Sequence, residues 1–247
     1  MTTKFEQFSN LHKALFVIPN AWNAKSAQLF QEQHYKAIAT SSAAVADSLG
    51  YADGEQMPFN SYLFIIRRIA AATNLPVTID LEMGYGSGVD DIYTNILSLI
   101  DLGVVGINLE DSKIHQGTRF LDAAKTFAHT LETIKNRLKT DNLNLFINVR
   151  CDTYLLDVKN KTQETNQRIK LYENSGADGI FLPCIREEQD IEAAVNATRL
   201  PLNVMQIPGL PDEKTQETLG VKRLSMGPAA YNKVYDSLKD VHAFGAL

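Results

Sequence analysis

Eight short apolar runs of strand character recur along the chain, and each is followed by a segment long enough for one helix. The runs are Leu15–Ile18, Ala37–Thr40, Val77–Leu81, Val104–Leu109, Leu143–Val149, Gly179–Leu182, Leu202–Met205 and Arg223–Met226. Helical period appears between them in Asn23–Gln33, Tyr62–Thr73, Asp90–Leu102, Ala123–Leu138, Thr162–Ser175, Glu187–Thr198, Asp212–Leu219 and Ala229–Val241. Asp90 and Asp91 open one helix, where the helix dipole favours acids. Gly103, Gly176 and Gly220 stand where helices should stop, because a helix C-terminus favours a left-handed residue. Regular strand–helix alternation implies a parallel sheet, and eight repeats imply its closure into a (β/α)8 barrel. The 247 residues match one such barrel, and no linker or low-complexity stretch divides them. Residues 1–247 are therefore read as a single α/β barrel domain.

The formal charge of −5 gives no basic footprint for nucleic acid and no polybasic patch for a membrane surface. Cys151 and Cys184 form neither a disulfide framework nor a zinc-ligand spacing, so a reducing, cytoplasmic setting is expected. The first residues, Met1-Thr-Thr-Lys-Phe, lack the apolar core of a signal peptide, and no apolar run reaches the length of a bilayer span.

Three of the strands end in a polar–x–polar pattern: Asp80-x-Glu82, Asn108-x-Glu110 and Asn148-x-Arg150. Side chains two apart on a strand share a side. Barrel enzymes carry their chemistry at the C-terminal strand ends. Asn20, Ser41, Ser42 and Gln206 fall at the same end. Taken singly, each acid could equally cap a helix or pair with Arg150; at three strand ends together they point to a site. Oxygen donors without histidine or cysteine select a hard divalent cation, Mg2+ or Mn2+. Arg150 offers a planar fork suited to a substrate carboxylate or phosphoryl group. The turn Ser41-Ser42-Ala43 could cradle a carboxylate with backbone N–H groups, or be an ordinary small-residue turn. Trp22 is expected either to wall the pocket or to pack under the barrel rim. His115 and Lys113 lie in the polar segment 111–121, which also contains Gly117 and has the make-up of a mobile lid. A solvated surface histidine is the ordinary reading of such a position. His12, His34, His129 and His242 read as structural or surface residues.

The motifs Pro19-Asn-Ala-Trp-Asn-Ala, Gly50-Tyr-Ala-Asp-Gly-Glu, Asp80-Leu-Glu-Met-Gly-Tyr-Gly, Gly106-Ile-Asn-Leu-Glu-Asp, Asn148-Val-Arg and Gly176-Ala-Asp-Gly-Ile-Phe run nearly end to end. With them the chain resembles the isocitrate lyase/phosphoenolpyruvate mutase superfamily. The resemblance implies a magnesium-dependent barrel enzyme working on small 2-oxo or 2-hydroxy carboxylates through an enolate-like intermediate. It implies that Asp80 binds the metal most directly, with Asp53, Glu82 and Glu110 holding its waters. Arg150 and the Ser41–Ala43 backbone would grip the substrate carboxylate. From their own positions, Trp22 and Asn148 are further candidates for contact with the substrate. It further implies a homo-oligomer, a dimer or tetramer. Where the lyases of that family carry a Cys-Gly-His loop, this chain has Ser112-Lys-Ile-His-Gln-Gly. That leaves Lys113 and His115 as the candidate proton donors. The expected activity is a lyase or decarboxylase; the alternatives are phosphonopyruvate-type C–P chemistry and a non-catalytic small-acid binder.

Overall fold

The computed structural model of the chain describes residues 2–239. In chain order the strands are β1 (Phe16–Ile18), β2 (Asn20–Ala21), β3 (Ile38–Thr40), β4 (Val77–Asp80), β5 (Gly106–Glu110), β6 (Ser112–His115), β7 (Thr118–Leu121), β8 (Phe146–Arg150), β9 (Gly179–Phe181), β10 (Leu202–Met205) and β11 (Arg223–Ser225). The helices are α1 (Lys4–Leu11), α2 (Ala24–Glu32), α3 (Ser42–Ser48), α4 (Phe59–Ala71), α5 (Val89–Ile100), α6 (Ala124–Thr140), α7 (Lys161–Asn174), α8 (Glu188–Asn196), α9 (Glu213–Leu219) and α10 (Ala229–Ser237). Nine strands form one parallel sheet in the order β1-β11-β10-β9-β8-β5-β4-β3-β2.

β1 and β2 are two halves of one strand. Pro19 separates them because it has no N–H to continue the ladder, although its carbonyl still accepts from Ala39 N at 2.9 Å. One half pairs with β11 and the other with β3, so a single strand joins the two edges of the sheet. The eight expected strands are all present, and the architecture is the (β/α)8 barrel. The last expected helix is seen as α10; its final residues and His242 lie outside the described residues. No helix among the described residues is long and apolar enough to cross a membrane.

Three elements were not anticipated: α1, α3 and the antiparallel hairpin β6–β7. A capping box starts α1, with Thr3 Oγ1 accepting from Glu6 N at 3.2 Å and Glu6 Oε2 accepting from Thr3 N at 2.7 Å. The helix closes the N-terminal end of the barrel by packing Phe8 among Ile18, Ala37, Ala39, Val105 and Phe146. Burial of a side chain of that size is worth about 2–3 kcal/mol. His12 follows α1 and stacks on Phe146 with ring centroids 4.4 Å apart. Burial, together with the charge of Arg223, pushes its imidazole down to about 3, so it is a neutral core histidine, as the structural reading had it.

Candidate active site

At the C-terminal strand ends a cavity of about 180 Å³ opens between Asn20, Ser41–Ala43, Asp53, Asp80, Asn108 and Arg150, with Leu155, Phe181, Pro183 and Met205 among its walls. Asp80 ends β4. Its Oδ2 accepts from Ser42 Oγ at 2.8 Å and its Oδ1 from Asn108 Nδ2 at 3.3 Å. Ser41 caps α3 by accepting from Ala44 N at 3.3 Å. No backbone acceptor takes the N–H of Ser42 or Ala43 among the described residues, which leaves both for an anion. Asp53 reaches the cavity from the loop after α3, and burial together with repulsion from Asp80 raises its carboxyl.

Arg150 ends β8 and spans two carboxylates. Its Nε donates to Asp152 Oδ1 at 2.7 Å, and Nη1 lies 2.9 Å from Glu110 Oε2 in an ion pair whose angle does not make it a hydrogen bond. Burial opposes the charge, but Glu110 and Asp152 outweigh it and keep the guanidinium protonated. Glu110 is also held by Arg119 Nη1 through Oε1. Arg119 arrives from β7, donates to Ser112 Oγ at 2.7 Å, and lies 3.4 Å from Asp152 Oδ2.

The structure brings Asp80, Asp53, Ser41, Ser42, Ala43 and Arg150 together around this cavity as expected. Glu82 does not continue the line of Asp80. The strand stops, Glu82 takes φ 52°, and its side chain is not among those lining the cavity. It accepts from Tyr85 Oη at 2.9 Å and Glu55 N at 3.0 Å. Burial and repulsion from Asp53, Asp80 and Glu110 push its carboxyl up to about 9. Glu110, expected near the metal, is paired here with the guanidiniums of Arg119 and Arg150. Among the described residues no three His, Cys, Asp or Glu side chains converge closely enough to hold an ion by themselves.

Asn148 shares a side with Arg150 but sits about 7 Å lower along the strand. It is buried between Asn108 and Asn203 rather than exposed to a substrate. Trp22 is buried and packs edge-on against Tyr231 at 5.4 Å, so it has the packing role.

Within segment 111–121, β6 and β7 form an antiparallel hairpin. Gln116 and Gly117, with φ 50° and 76°, make the tight turn of a two-residue hairpin. Alternation then puts Ser112, Ile114 and Arg119 on the inner face and Lys113 and His115 on the outer one. Lys113 pairs with Asp122 at 2.9 Å and His115 is exposed, so neither faces the cavity.

Two site residues, Arg119 and Asp152, were missed from sequence. The alternation of Ser112-Lys-Ile-His and Thr118-Arg-Phe-Leu around Gln-Gly was the signal for the first. Extending the polar–x–polar period of Asn148 and Arg150 by one step would have found the second.

A closed parallel barrel that carries carboxylates, an arginine and free backbone N–H groups at its C-terminal mouth has the architecture in which barrel enzymes place their chemistry. The chain belongs to the phosphoenolpyruvate phosphomutase family, whose sequence profile matches residues 8–244, within the isocitrate lyase/phosphoenolpyruvate mutase superfamily. It is similar to a candidate phosphonomutase from Burkholderia cenocepacia J2315, with TM-score 0.91, 32% identity and 98% of each chain covered. An oxaloacetate decarboxylase of Ectopseudomonas mendocina is 26% identical over 210 residues, covering 81% of this chain and 70% of that one. The fold also matches a phosphonopyruvate hydrolase in complex with oxalate and Mg2+, with TM-score 0.86, 20% identity and coverage of 97% of this chain and 86% of that one. The homologues are lyases and mutases, which supports an enzyme.

Proposed function

We propose that the chain is a magnesium- or manganese-dependent lyase that breaks a C–C bond of a small 2-oxo or 2-hydroxy diacid, decarboxylation included. One observation carries this reading. In a cavity of about 180 Å³, donors for an anion (Arg150 and the N–H groups of Ser42 and Ala43) stand with two carboxylates for a cation, Asp80 and Asp53. The volume suits an acid of a few carbon atoms and excludes a nucleotide.

The donor set fits a hard divalent ion. Asp80 would hold it directly, and Asp53 and Glu82 through water. Burial raises Glu82 and Asp53, and the crowding of acids adds to it; a divalent charge relieves that crowding. When bound, the ion supplies Lewis acidity for charge developing on a carbonyl oxygen. Arg150 orients one substrate carboxylate through the N–H bonds that Asp152 and Glu110 leave over. The Ser42 and Ala43 N–H groups donate to a second anionic oxygen. Leu155, Phe181 and Pro183 keep water from the reacting carbon.

In a decarboxylation the C–C bond breaks, CO2 leaves and the electron pair stays on the substrate, which afterwards takes a proton from water. That step needs no side-chain acid at the mouth, in keeping with the outward placement of Lys113 and His115. The decarboxylase relative and the magnesium–oxalate complex of the hydrolase support the reading.

Phosphonopyruvate-type C–P chemistry is the second reading, favoured by the likeness to the Burkholderia candidate phosphonomutase. Oxaloacetate, methylisocitrate, dimethylmalate and phosphonopyruvate, each with and without Mg2+, followed by 13C and 31P NMR, separate the two. Magnesium-dependent loss of a dicarboxylate supports the first, and turnover of phosphonopyruvate alone supports the second. Oxalate binding without any turnover leaves a small-acid binder. A homo-oligomer is proposed as well, supported by the exposed Val234, Tyr235 and Leu238 on and beside α10; a monomer by light scattering would contradict it.

A further inference from the structure

Asp80, Asn108 and Asn148 are register partners across β4, β5 and β8, and the next position in the row is Gly179 on β9. A Cβ at Gly179 would stand 2.8 Å from Asn148 Oδ1. Glycine there lets Asn148 pass across β9 to Asn203 on β10. Asn148 Nδ2 donates to Asn203 Oδ1 at 3.0 Å and to Asn108 Oδ1 at 2.9 Å. Asn108 Nδ2 in turn donates to Asp80 Oδ1 at 3.3 Å. The three amides are buried.

The two ends of a side-chain amide have nearly the same shape but opposite hydrogen-bonding character. A row of amides therefore needs an anchor to fix its direction, and here the backbone supplies it. Asn203 Nδ2 lies 2.7 Å from Val204 O and 3.1 Å from Arg223 O. Carbonyl oxygens only accept, so Asn203 turns its NH2 to them and its Oδ1 to Asn148. Asn148 must then present its NH2, which also reaches Asn108 Oδ1. Asn108 is left with its NH2 facing Asp80. Turning Asn148 or Asn108 over sets oxygen against oxygen.

We propose that Asn148 is a positioning residue: anchored through Asn203 on the β10 and β11 backbone, it holds Asn108 with a donor toward Asp80 and so keeps that carboxylate aimed into the mouth as a cation ligand. The inference rests on the reading that Asp80 holds the divalent ion.

The test is Mn2+ affinity of the full chain, read by electron paramagnetic resonance, with the melting temperature of each variant alongside. Asn148→Asp replaces the donors with acceptors, so Asn108 must rotate to donate back and its Oδ1 meets Asp80. Mn2+ binding is expected to weaken about tenfold or more, the scale of a hydrogen bond to a charged group. Coulomb attraction alone predicts the opposite, because the variant adds a negative charge near the ion. Asn148→Ser removes the lock without reversing it and loses a few-fold.

A folded Asn148→Asp protein that binds Mn2+ as well as wild type overturns the proposal. If Asn148→Asp does not fold, Asn148→Ser decides, and unchanged affinity there overturns it. Asp80→Ala separates the premise: retained Mn2+ affinity in that variant removes the cation reading itself.

Discussion

Removal of the Arg119 side chain tests how the hairpin is held over the site. Arg119 Nη1 ties β7 to Glu110 and to Ser112, and lies 3.4 Å from Asp152. Glu110 and Asp152 have no side-chain exposure, and Arg119 only 17%. β6 and β7 pair only with each other, and a two-stranded hairpin has little stability of its own. Besides Arg119, the hairpin is tied down by Ser112 Oγ on Asp152 at 2.5 Å, by the Lys113–Asp122 pair and by Ile114 against Gly54. Arg119→Ala therefore loses hydrogen bonds to charged partners worth about 1.5–3 kcal/mol in all. That is roughly a ten- to hundredfold shift toward local opening. Because Glu110 keeps Arg150, the barrel itself stays folded. Amide hydrogen exchange by mass spectrometry should show residues 112–121 exchanging faster by that factor, with β5 and β8 unchanged. Exchange in the hairpin equal to wild type would refute the argument. Loss of protection throughout the barrel would show that Arg119 is a core strut and not a latch.

Arg150→Lys should weaken oxalate or pyruvate binding at least about tenfold, because an ammonium cannot span a carboxylate in two places while holding Asp152; calorimetry measures it, and a change below about twofold would make Arg150 structural. Asp80→Ala should abolish Mg2+ binding in the same assay with the fold intact. Lys113→Ala and His115→Ala should leave turnover unchanged, since both side chains lie on the outer face of the hairpin; a large fall in turnover would require the hairpin to rearrange. In metal-free protein Glu82 is raised from 4.5 to about 9. The folded state then holds its proton more tightly than the unfolded one, and this stabilisation is present in full below pH 4.5 and lost as pH rises toward 9. The melting temperature should fall across that window in the wild type and less so in Glu82→Gln; parallel curves would count against it.

The alternation of apolar runs and helical segments was enough to place all eight barrel strands, because strand and helix periods are local properties of the chain. Asp80, Ser41–Ala43 and Arg150 were legible for the same reason: a polar residue ending an apolar strand must face the mouth. Asp53 came from the resemblance and not from spacing. What the spacing did not show was whatever depended on depth or on a break in the strand. Asn148 obeys the two-residue alternation, yet it sits one layer below Arg150, and depth inside a barrel follows from the stagger of neighbouring strands. Glu82 leaves the alternation because its backbone turns left-handed where β4 ends. Glu110 looks unpaired in the sequence until Arg119, nine residues on, folds back over it. The sequence alone determined which residues could carry charge at the mouth and on which elements they stand. Only the tertiary structure decided which carboxylates are paired with arginine and which are not, because that pairing is made between strands and across a hairpin.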